Sequence, residues 1–159
     1  MKVKQITLIA MLTALTTALS LVFIIPVPQT KGFVTLCETG IYTAALLFGP
    51  AAGAFVGGLS GGLIDLLSGY PEWAVFSILI HGLQGWLVGR LAHRPILGVS
   101  LGSLIMIIGY AAATFLLFGF GAGIASIPGN LIQTIFGSVV ALPLVQALRR
   151  TNKFPMNER

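Results

Sequence analysis

The stretch from Gly49 to Asp65 places a small residue at every fourth position. It reads GPAAGAFVGGLSGGLID, with glycine at Gly49, Gly53, Gly57 and Gly61. Because residues four apart lie on one face of a helix, this spacing predicts a glycine face on which a neighbouring backbone can pack closely, as in membrane bundles. Asp65 continues the series. Lipid does not solvate a carboxylate, so Asp65 must face other helices, water or a ligand.

The composition is that of an integral membrane protein. The chain has 159 residues, of which 56% are hydrophobic and 8% are charged, whereas soluble domains carry about 25% charged residues. Mean hydropathy is +0.97. The basic residues are not gathered on an aromatic-rich patch, which argues against nucleic-acid binding. Cys37 is the single cysteine, so no disulfide can form within the chain.

We expect an all-α fold with six transmembrane helices in a single domain covering residues 1–159, since a span takes about 20 residues. Residues 26–35 should form an outer loop, and Gly119, Gly121 and Gly123 a flexible connection between the last two helices. Pro143 should bend the sixth helix. The predicted helices cover approximately residues 5–25, 36–48, 50–68, 72–91, 97–118 and 125–148.

The basic residues predict that both termini lie in the cytoplasm, because short cytoplasmic loops carry an excess of Lys and Arg. In this orientation only Lys31 of the nine basic residues falls outside. The others fall inside: Lys2, Lys4, Arg90, Arg94, Arg149, Arg150, Lys153 and Arg159.

With this topology, polar residues of several helices gather in the outer half of the membrane, while the inner half is nearly all apolar or small. This arrangement predicts a cup that opens to the outside and holds a small molecule, rather than a pore. We expect the substrate-binding residues to be Glu38, Tyr42, Asp65, Trp73, His81, Gln84, Tyr110, Asn130 and Gln133.

Several of these residues also have structural interpretations. Trp73 could anchor a helix at the membrane interface. Asn130 and Gln133 could join helices by hydrogen bonds. His81 could be a satisfied structural histidine, and Glu38 could be solvated at a helix start, where its charge suits the helix dipole.

The first helix carries Ala10, Ala14 and Ala18, again four residues apart. Such a face of small residues could contact another helix of the same chain. It could equally form a flat docking face for a second membrane protein.

These residues resemble a known family. The Ala10-x-x-x-Ala14 spacing, repeated at Ala18, is similar to a motif of the substrate-binding S components of energy-coupling factor (ECF) vitamin transporters. The stretch LLFGPAAGAFVGGLSGGLIDLLSG and the later HGLQG at residues 81–85 also resemble that family. The resemblance covers essentially the whole chain.

The resemblance implies a multi-pass protein of the bacterial cell membrane that captures a small vitamin or vitamin precursor outside the cell. It implies no enzymatic activity, cofactor or metal. The partners would be a transmembrane coupling (T) subunit, contacted by Ala10, Ala14 and Ala18, and two cytoplasmic ATPase subunits. Residues 26–35 would cover the pocket. The sequence looks most similar to S components for hydroxymethylpyrimidine or pyridoxine, and riboflavin, thiamine and pantothenate remain open.

Two other classes of membrane protein are alternatives to this interpretation. Gly58-Leu59-Ser60-Gly61 resembles the GxSG of rhomboid intramembrane proteases, with His81 as a candidate base. However, rhomboids carry their serine and histidine on the fourth and sixth core helices, whereas here they lie on the third and fourth. The other alternative is a channel or a secondary transporter. Against it, the inner half of the membrane-spanning region is apolar and offers no polar path across the membrane.

Overall fold

The computed structural model describes residues 3–27 and 32–151. Within them, six α-helices and one short hairpin follow in this order: α1 Val3–Val22, β1 Ile25–Val27, β2 Gly32–Val34, α2 Cys37–Phe48, α3 Pro50–Ser68, α4 Pro71–Arg90, α5 Pro95–Phe118 and α6 Phe120–Arg150. Four of these helices, α1, α3, α5 and α6, are long and apolar enough to cross a membrane. The predicted all-α membrane fold with six helices is confirmed.

Proline and glycine residues set where the helices begin and end. Pro50, Pro71 and Pro95 each occupy the first turn of a helix, where the missing N–H has no intrahelical partner to lose. Gly49 and Gly119 have φ angles of 87° and 90° and form the single-residue breaks before α3 and α6. Only glycine adopts this backbone conformation without strain, so consecutive helices reverse direction within one or two residues.

The connection between α5 and α6 differs from the prediction. We expected Gly119, Gly121 and Gly123 to form a flexible connection, but α6 begins at Phe120 and contains the latter two glycines. A Cβ atom on Gly123 would lie 2.9 Å from the carbonyl oxygen of Ala111 on α5. The glycine therefore serves close helix packing rather than flexibility.

The sixth helix also runs through two prolines. Pro128 and Pro143 both lie inside α6, which continues to Arg150. The bend expected at Pro143 stays a prediction.

The expected outer loop contains the hairpin. Strands β1 and β2 are antiparallel, with Ile25 opposite Val34 and Pro26 opposite Phe33. Lys31, which we placed outside the membrane, lies outside the described residues, as do Lys2, Lys153 and Arg159. The orientation of the termini therefore stays a prediction.

The glycine face packs α3 closely against α4, and this pair has the most extensive contact among the described helices. A Cβ atom on Gly53 would lie 2.2 Å from the carbonyl oxygen of Gly85, and one on Gly57 would lie 2.2 Å from that of His81. A Cβ on Gly61 would lie 2.6 Å from the His81 ring. The predicted close approach is confirmed, and it brings His81 alongside the α3 turn that leads to Asp65.

Helix α2 lies at the centre of the bundle, with nearly every side chain buried, and packs against α1, α3, α4 and α6. Its 12 residues span about 18 Å, well short of a bilayer core of about 30 Å. At its C-terminal end, Arg149 Nη2 donates a hydrogen bond to the carbonyl oxygen of Leu46 over 2.8 Å. This contact supplies a partner for a helix-end carbonyl that lies inside the protein.

Candidate functional site: a polar cavity at the hairpin end

A cavity lies at the end of the bundle that carries the hairpin. Its volume is about 50 Å³, several times the minimum that one water molecule needs. The described lining comes from the segment after β2 and from helices α2 to α6. These residues are Val34, Thr35, Cys37, Gly61, Ile64, Asp65, Trp73, His81, Met106, Tyr110, Thr114, Ser126, Gly129, Asn130 and Gln133.

The structure brings six of the nine predicted site residues to this lining: Asp65, Trp73, His81, Tyr110, Asn130 and Gln133. The other three, Glu38, Tyr42 and Gln84, are fully buried behind it. The solvated interpretation of Glu38 is therefore wrong, since its exposed fraction is 0%. Contact of any of the nine residues with a ligand stays a prediction.

A chain of hydrogen bonds holds His81 from behind. His81 Nδ1 lies 2.8 Å from Gln84 Oε1, and Gln84 Nε2 donates to the Tyr42 hydroxyl over 2.9 Å. The Tyr42 hydroxyl also lies 2.9 Å from Ser103 Oγ on α5. Gln84 and Tyr42 thus fix the orientation of the imidazole ring that faces the cavity.

The other side of the imidazole joins an aromatic wall. The Tyr110 hydroxyl lies 3.0 Å from His81 Nε2 and 2.5 Å from Ser77 Oγ. The Trp73 ring lies against Tyr110 and Phe118, with centroid distances of 5.9 and 5.8 Å. Trp73 and Tyr110 thus give the cavity an aromatic side.

Two lining residues keep buried polar atoms without a hydrogen-bond partner. Asp65 Oδ2 has no partner, and neither has the indole N–H of Trp73, although each residue is only 4% exposed. Leaving such a group unpaired costs about 1–3 kcal/mol. One acceptor and one donor are therefore available to a molecule that enters the cavity.

Gln133 has a partner that the sequence did not indicate. Its Oε1 accepts a hydrogen bond of 2.7 Å from the backbone N–H of Thr35, directly after the hairpin. Asn130, one turn earlier on α6, is half-buried and also lines the cavity. Gln133 thus joins the end of the hairpin to α6.

The remaining lining residues, which sequence reasoning missed, are Val34, Thr35, Cys37, Gly61, Ile64, Met106, Thr114, Ser126 and Gly129. They are apolar or small, so their side chains carry no sign of a site. Helical spacing in the sequence could nevertheless have indicated four of them. Ser126 and Gly129 precede Asn130 and Gln133 at the spacing of one helix face, and Met106 and Thr114 lie four residues on either side of Tyr110.

The geometry gives no support to a Ser60–His81 catalytic pair. The Ser60 hydroxyl donates to the carbonyl oxygen of Val56 and lies 3.6 Å from Cys37 Sγ. Both His81 ring nitrogens have other partners, Gln84 and Tyr110. A nucleophilic serine needs a base within hydrogen-bond reach, and here the base is engaged elsewhere.

A bundle of apolar helices with a polar cavity at one end defines a membrane protein that binds a small molecule. More specifically, the chain belongs to the S components of ECF transporters: the family described as "ECF-type riboflavin transporter, S component" matches residues 1–150. The resemblance drawn from the sequence is confirmed, and the protein is the substrate-binding, multi-pass membrane subunit of a transporter.

Two relatives are similar over most of the chain. The "Thiamine precursor transporter HmpT" of Lactococcus lactis subsp. cremoris (strain MG1363) is 40% identical over 150 residues, which cover 94% of this chain and 90% of that protein. A Pyrococcus woesei protein, described as "Uncharacterized protein in gap 3'region", is 33% identical over 132 residues. That match covers 79% of this chain and 88% of the relative.

Proposed function

We propose that this S component captures hydroxymethylpyrimidine, a thiamine precursor, from outside the cell. The relative that is 40% identical is named as a thiamine precursor transporter. The sequence itself most resembles S components for hydroxymethylpyrimidine or pyridoxine. The structural observation that carries the proposal is the cavity with an unpartnered acceptor, Asp65 Oδ2, and an unpartnered donor, Trp73 Nε1.

The chemistry of hydroxymethylpyrimidine complements this cavity. The molecule is one flat ring with acceptor nitrogens, an exocyclic amino group and a hydroxymethyl group. The amino group can donate to Asp65, and a ring nitrogen or the hydroxyl can accept from Trp73. The aromatic rings of Trp73 and Tyr110 lie 5.9 Å apart and offer surfaces for the pyrimidine.

The small cavity favours a single ring over riboflavin, despite the description of the matching family. Riboflavin carries three fused rings and a polyol chain, whereas the cavity volume is only about 50 Å³. Binding riboflavin would require the lining side chains or the hairpin to move outward. Hydroxymethylpyrimidine needs a much smaller adjustment.

Titration calorimetry on the purified protein tests the substrate. We expect saturable binding of hydroxymethylpyrimidine and much weaker binding of pyridoxine, thiamine and riboflavin. Mass spectrometry of the molecule that copurifies with the protein gives an independent answer. Tight riboflavin binding without competition from hydroxymethylpyrimidine would contradict the proposal.

The cavity end faces the outside in this proposal. Arg90, Arg94, Arg149 and Arg150 lie at the opposite ends of the helices whose other halves line the cavity. An excess of basic residues indicates the cytoplasmic side.

Cysteine labelling with a reagent that does not cross the membrane tests this orientation. Glu72→Cys, on the exposed first turn of α4, should be labelled from outside, and Arg94→Cys, in the exposed turn before α5, should not. The reverse pattern would overturn the orientation.

The transport partners follow from family membership and from the exposed face of α1. Ala10, Ala14 and Ala18 are exposed, whereas Thr13 and Thr17 of the same helix are buried against the bundle. The alanines therefore do not pack on another described helix of this chain. A flat face of small residues suits close contact with a helix of the coupling subunit, which two cytoplasmic ATPase subunits would drive.

A further inference from the structure

We propose that the groove between α4 and α5, on the outer surface of the bundle, binds an anionic phospholipid. One acyl chain lies along the groove, and the phosphate lies at Arg90 and Arg94. The groove is separate from the polar cavity, since the two share no described lining residue. The inference goes beyond the proposed function, and it depends neither on the substrate nor on which end of the bundle faces the cytoplasm.

The groove has the length and the chemistry that a hydrocarbon chain requires. Its volume is about 490 Å³, and the described residues that line it are five leucines, three isoleucines and one glycine. Leu79, Leu83 and Leu87 lie four residues apart on one face of α4, and Leu101 and Ile108 lie seven residues apart on α5. The rise from Leu79 to Leu87 is about 12 Å. The groove is therefore elongated along the helices and apolar.

Two glycines of α5 bring the two helices together behind the groove. A Cβ atom on Gly102 would lie 2.5 Å from Val88 Cγ2, and Val88 is fully buried. A Cβ atom on Gly109 would lie 2.9 Å from Ile80 Cγ1. On the outer side the side chains are large and exposed, as at Leu83, which is 51% exposed. The helices thus touch on the inner side, and the larger side chains form the two walls of the groove.

One end of the groove lies beside a turn that carries two arginines. Arg90 follows Leu87 by three residues, about one helical turn, and Arg94 directly precedes the start of α5 at Pro95. Both arginines are exposed. Among the residues that the structure describes, no carboxylate forms an ion pair with either of them. Basic pockets between transmembrane helices bind anionic lipid headgroups, and the two arginines supply the complementary charge here.

The acidic residues of the described chain lie towards the opposite end of the bundle. Glu72 is in the first turn of α4, and the helix rises by about 27 Å between Glu72 and Arg90. Glu38 is in the first turn of α2, and Asp65 lines the cavity near the end of α3. These carboxylates cannot neutralise the arginine turn, so a phosphate from outside the chain can do so.

The walls of the groove suit a lipid better than a helix of another protein. Membrane helices approach one another closely through small residues. The exposed small-residue face of this chain is on α1, at Ala14, and α1 packs on α2 and α3. The groove walls carry leucine and isoleucine instead, with Gly109 as the one small residue among the described lining. A flexible acyl chain can follow such walls, whereas a second helix would meet the ends of large side chains.

Native mass spectrometry of the delipidated full chain tests the headgroup. The protein is titrated with phosphatidylglycerol or with phosphatidylcholine of the same acyl chains. We expect the first phosphatidylglycerol to bind about 25-fold more tightly, because each arginine contributes about fivefold. The double variant Arg90→Gln/Arg94→Gln should lose this preference. Arg150→Gln, at the exposed end of α6, is the matched control and should keep it.

Filling the groove tests the position of the acyl chain. Leu83→Trp and Leu104→Trp add bulk at half-exposed positions on the two walls, so each should lower the occupancy of both lipids. Ile132→Trp, at an exposed position on α6, is the control and should leave the occupancy unchanged.

The thermal unfolding temperature in detergent gives a second measurement and shows that each variant is folded. Phosphatidylglycerol should raise it in the unmodified protein and in Arg150→Gln, because a ligand that binds only the folded state stabilises that state. It should not raise it in the double arginine variant. Three results would each overturn the inference: equal affinity for the two lipids, the same loss of preference in Arg150→Gln as in the double variant, or unchanged lipid occupancy in both wall variants.

Discussion

The backbone N–H of Thr35 donates a 2.7 Å hydrogen bond to Gln133 Oε1, across 98 positions of sequence. Thr35 directly follows the hairpin, and Gln133 lies on the α6 turn that faces the cavity. One hydrogen bond thus connects the hairpin to the site.

Gln133→Leu should therefore accelerate ligand exchange. The substitution keeps the approximate size of the side chain but leaves the buried Thr35 N–H without an acceptor. We expect the ligand dissociation rate, measured by stopped-flow tryptophan fluorescence, to rise by about five- to 150-fold. Gln146→Leu, at an exposed position farther along α6, is the matched control and should leave the rate unchanged.

Removal of the unpartnered polar atoms at the cavity should weaken binding. Asp65→Ala removes the acceptor, and Trp73→Phe removes the indole N–H while keeping an aromatic ring. Each should reduce the affinity for hydroxymethylpyrimidine in calorimetry by about five- to 150-fold. Trp86→Phe is the control, because Trp86 lies on the same helix with 44% of its surface exposed. Full affinity in both site variants would mean that the ligand binds elsewhere.

Small additions to the glycine face should destabilise the bundle. Gly53→Ala would place a Cβ 2.2 Å from the carbonyl oxygen of Gly85, so α3 and α4 would have to separate. We expect a lower thermal unfolding temperature in detergent. Gly121→Ala on α6 meets no atom within 4 Å and should be neutral or stabilising, since alanine favours helices over glycine. Equal unfolding temperatures for the two variants would argue against the packing role.

A bulky residue on the exposed face of α1 should block assembly but not ligand binding. Ala14→Leu projects from the side of α1 that leaves the bundle, away from the cavity lining. Copurification with the coupling and ATPase subunits should fall strongly, while calorimetry on the isolated subunit should give the unchanged affinity. Ala125→Leu, at an exposed position on α6, controls for the added side chain. Normal assembly of Ala14→Leu would place the docking face elsewhere.

Much of the architecture could be read from the sequence. Hydropathy predicted the helices, and prolines and glycines predicted most of their ends, as at Pro50 and Gly49. The four-residue glycine period predicted the contact of α3 with α4, because the helical repeat alone decides which residues share a face. The exception was the Gly119–Gly123 connection, where glycine served packing inside a helix instead of flexibility.

Only the tertiary structure decided which site residues line the cavity and which lie buried behind it. Composition and depth predicted that Glu38, Gln84 and Tyr42 share one cup with Asp65 and Trp73. They could not predict which of these residues reach the cavity. That distinction depends on the rotation of each helix about its axis and on how closely its neighbours approach. Both are set by contacts between residues far apart in sequence. The same reason explains why Gln133 could be predicted as a polar site residue, while its bond to Thr35 could not.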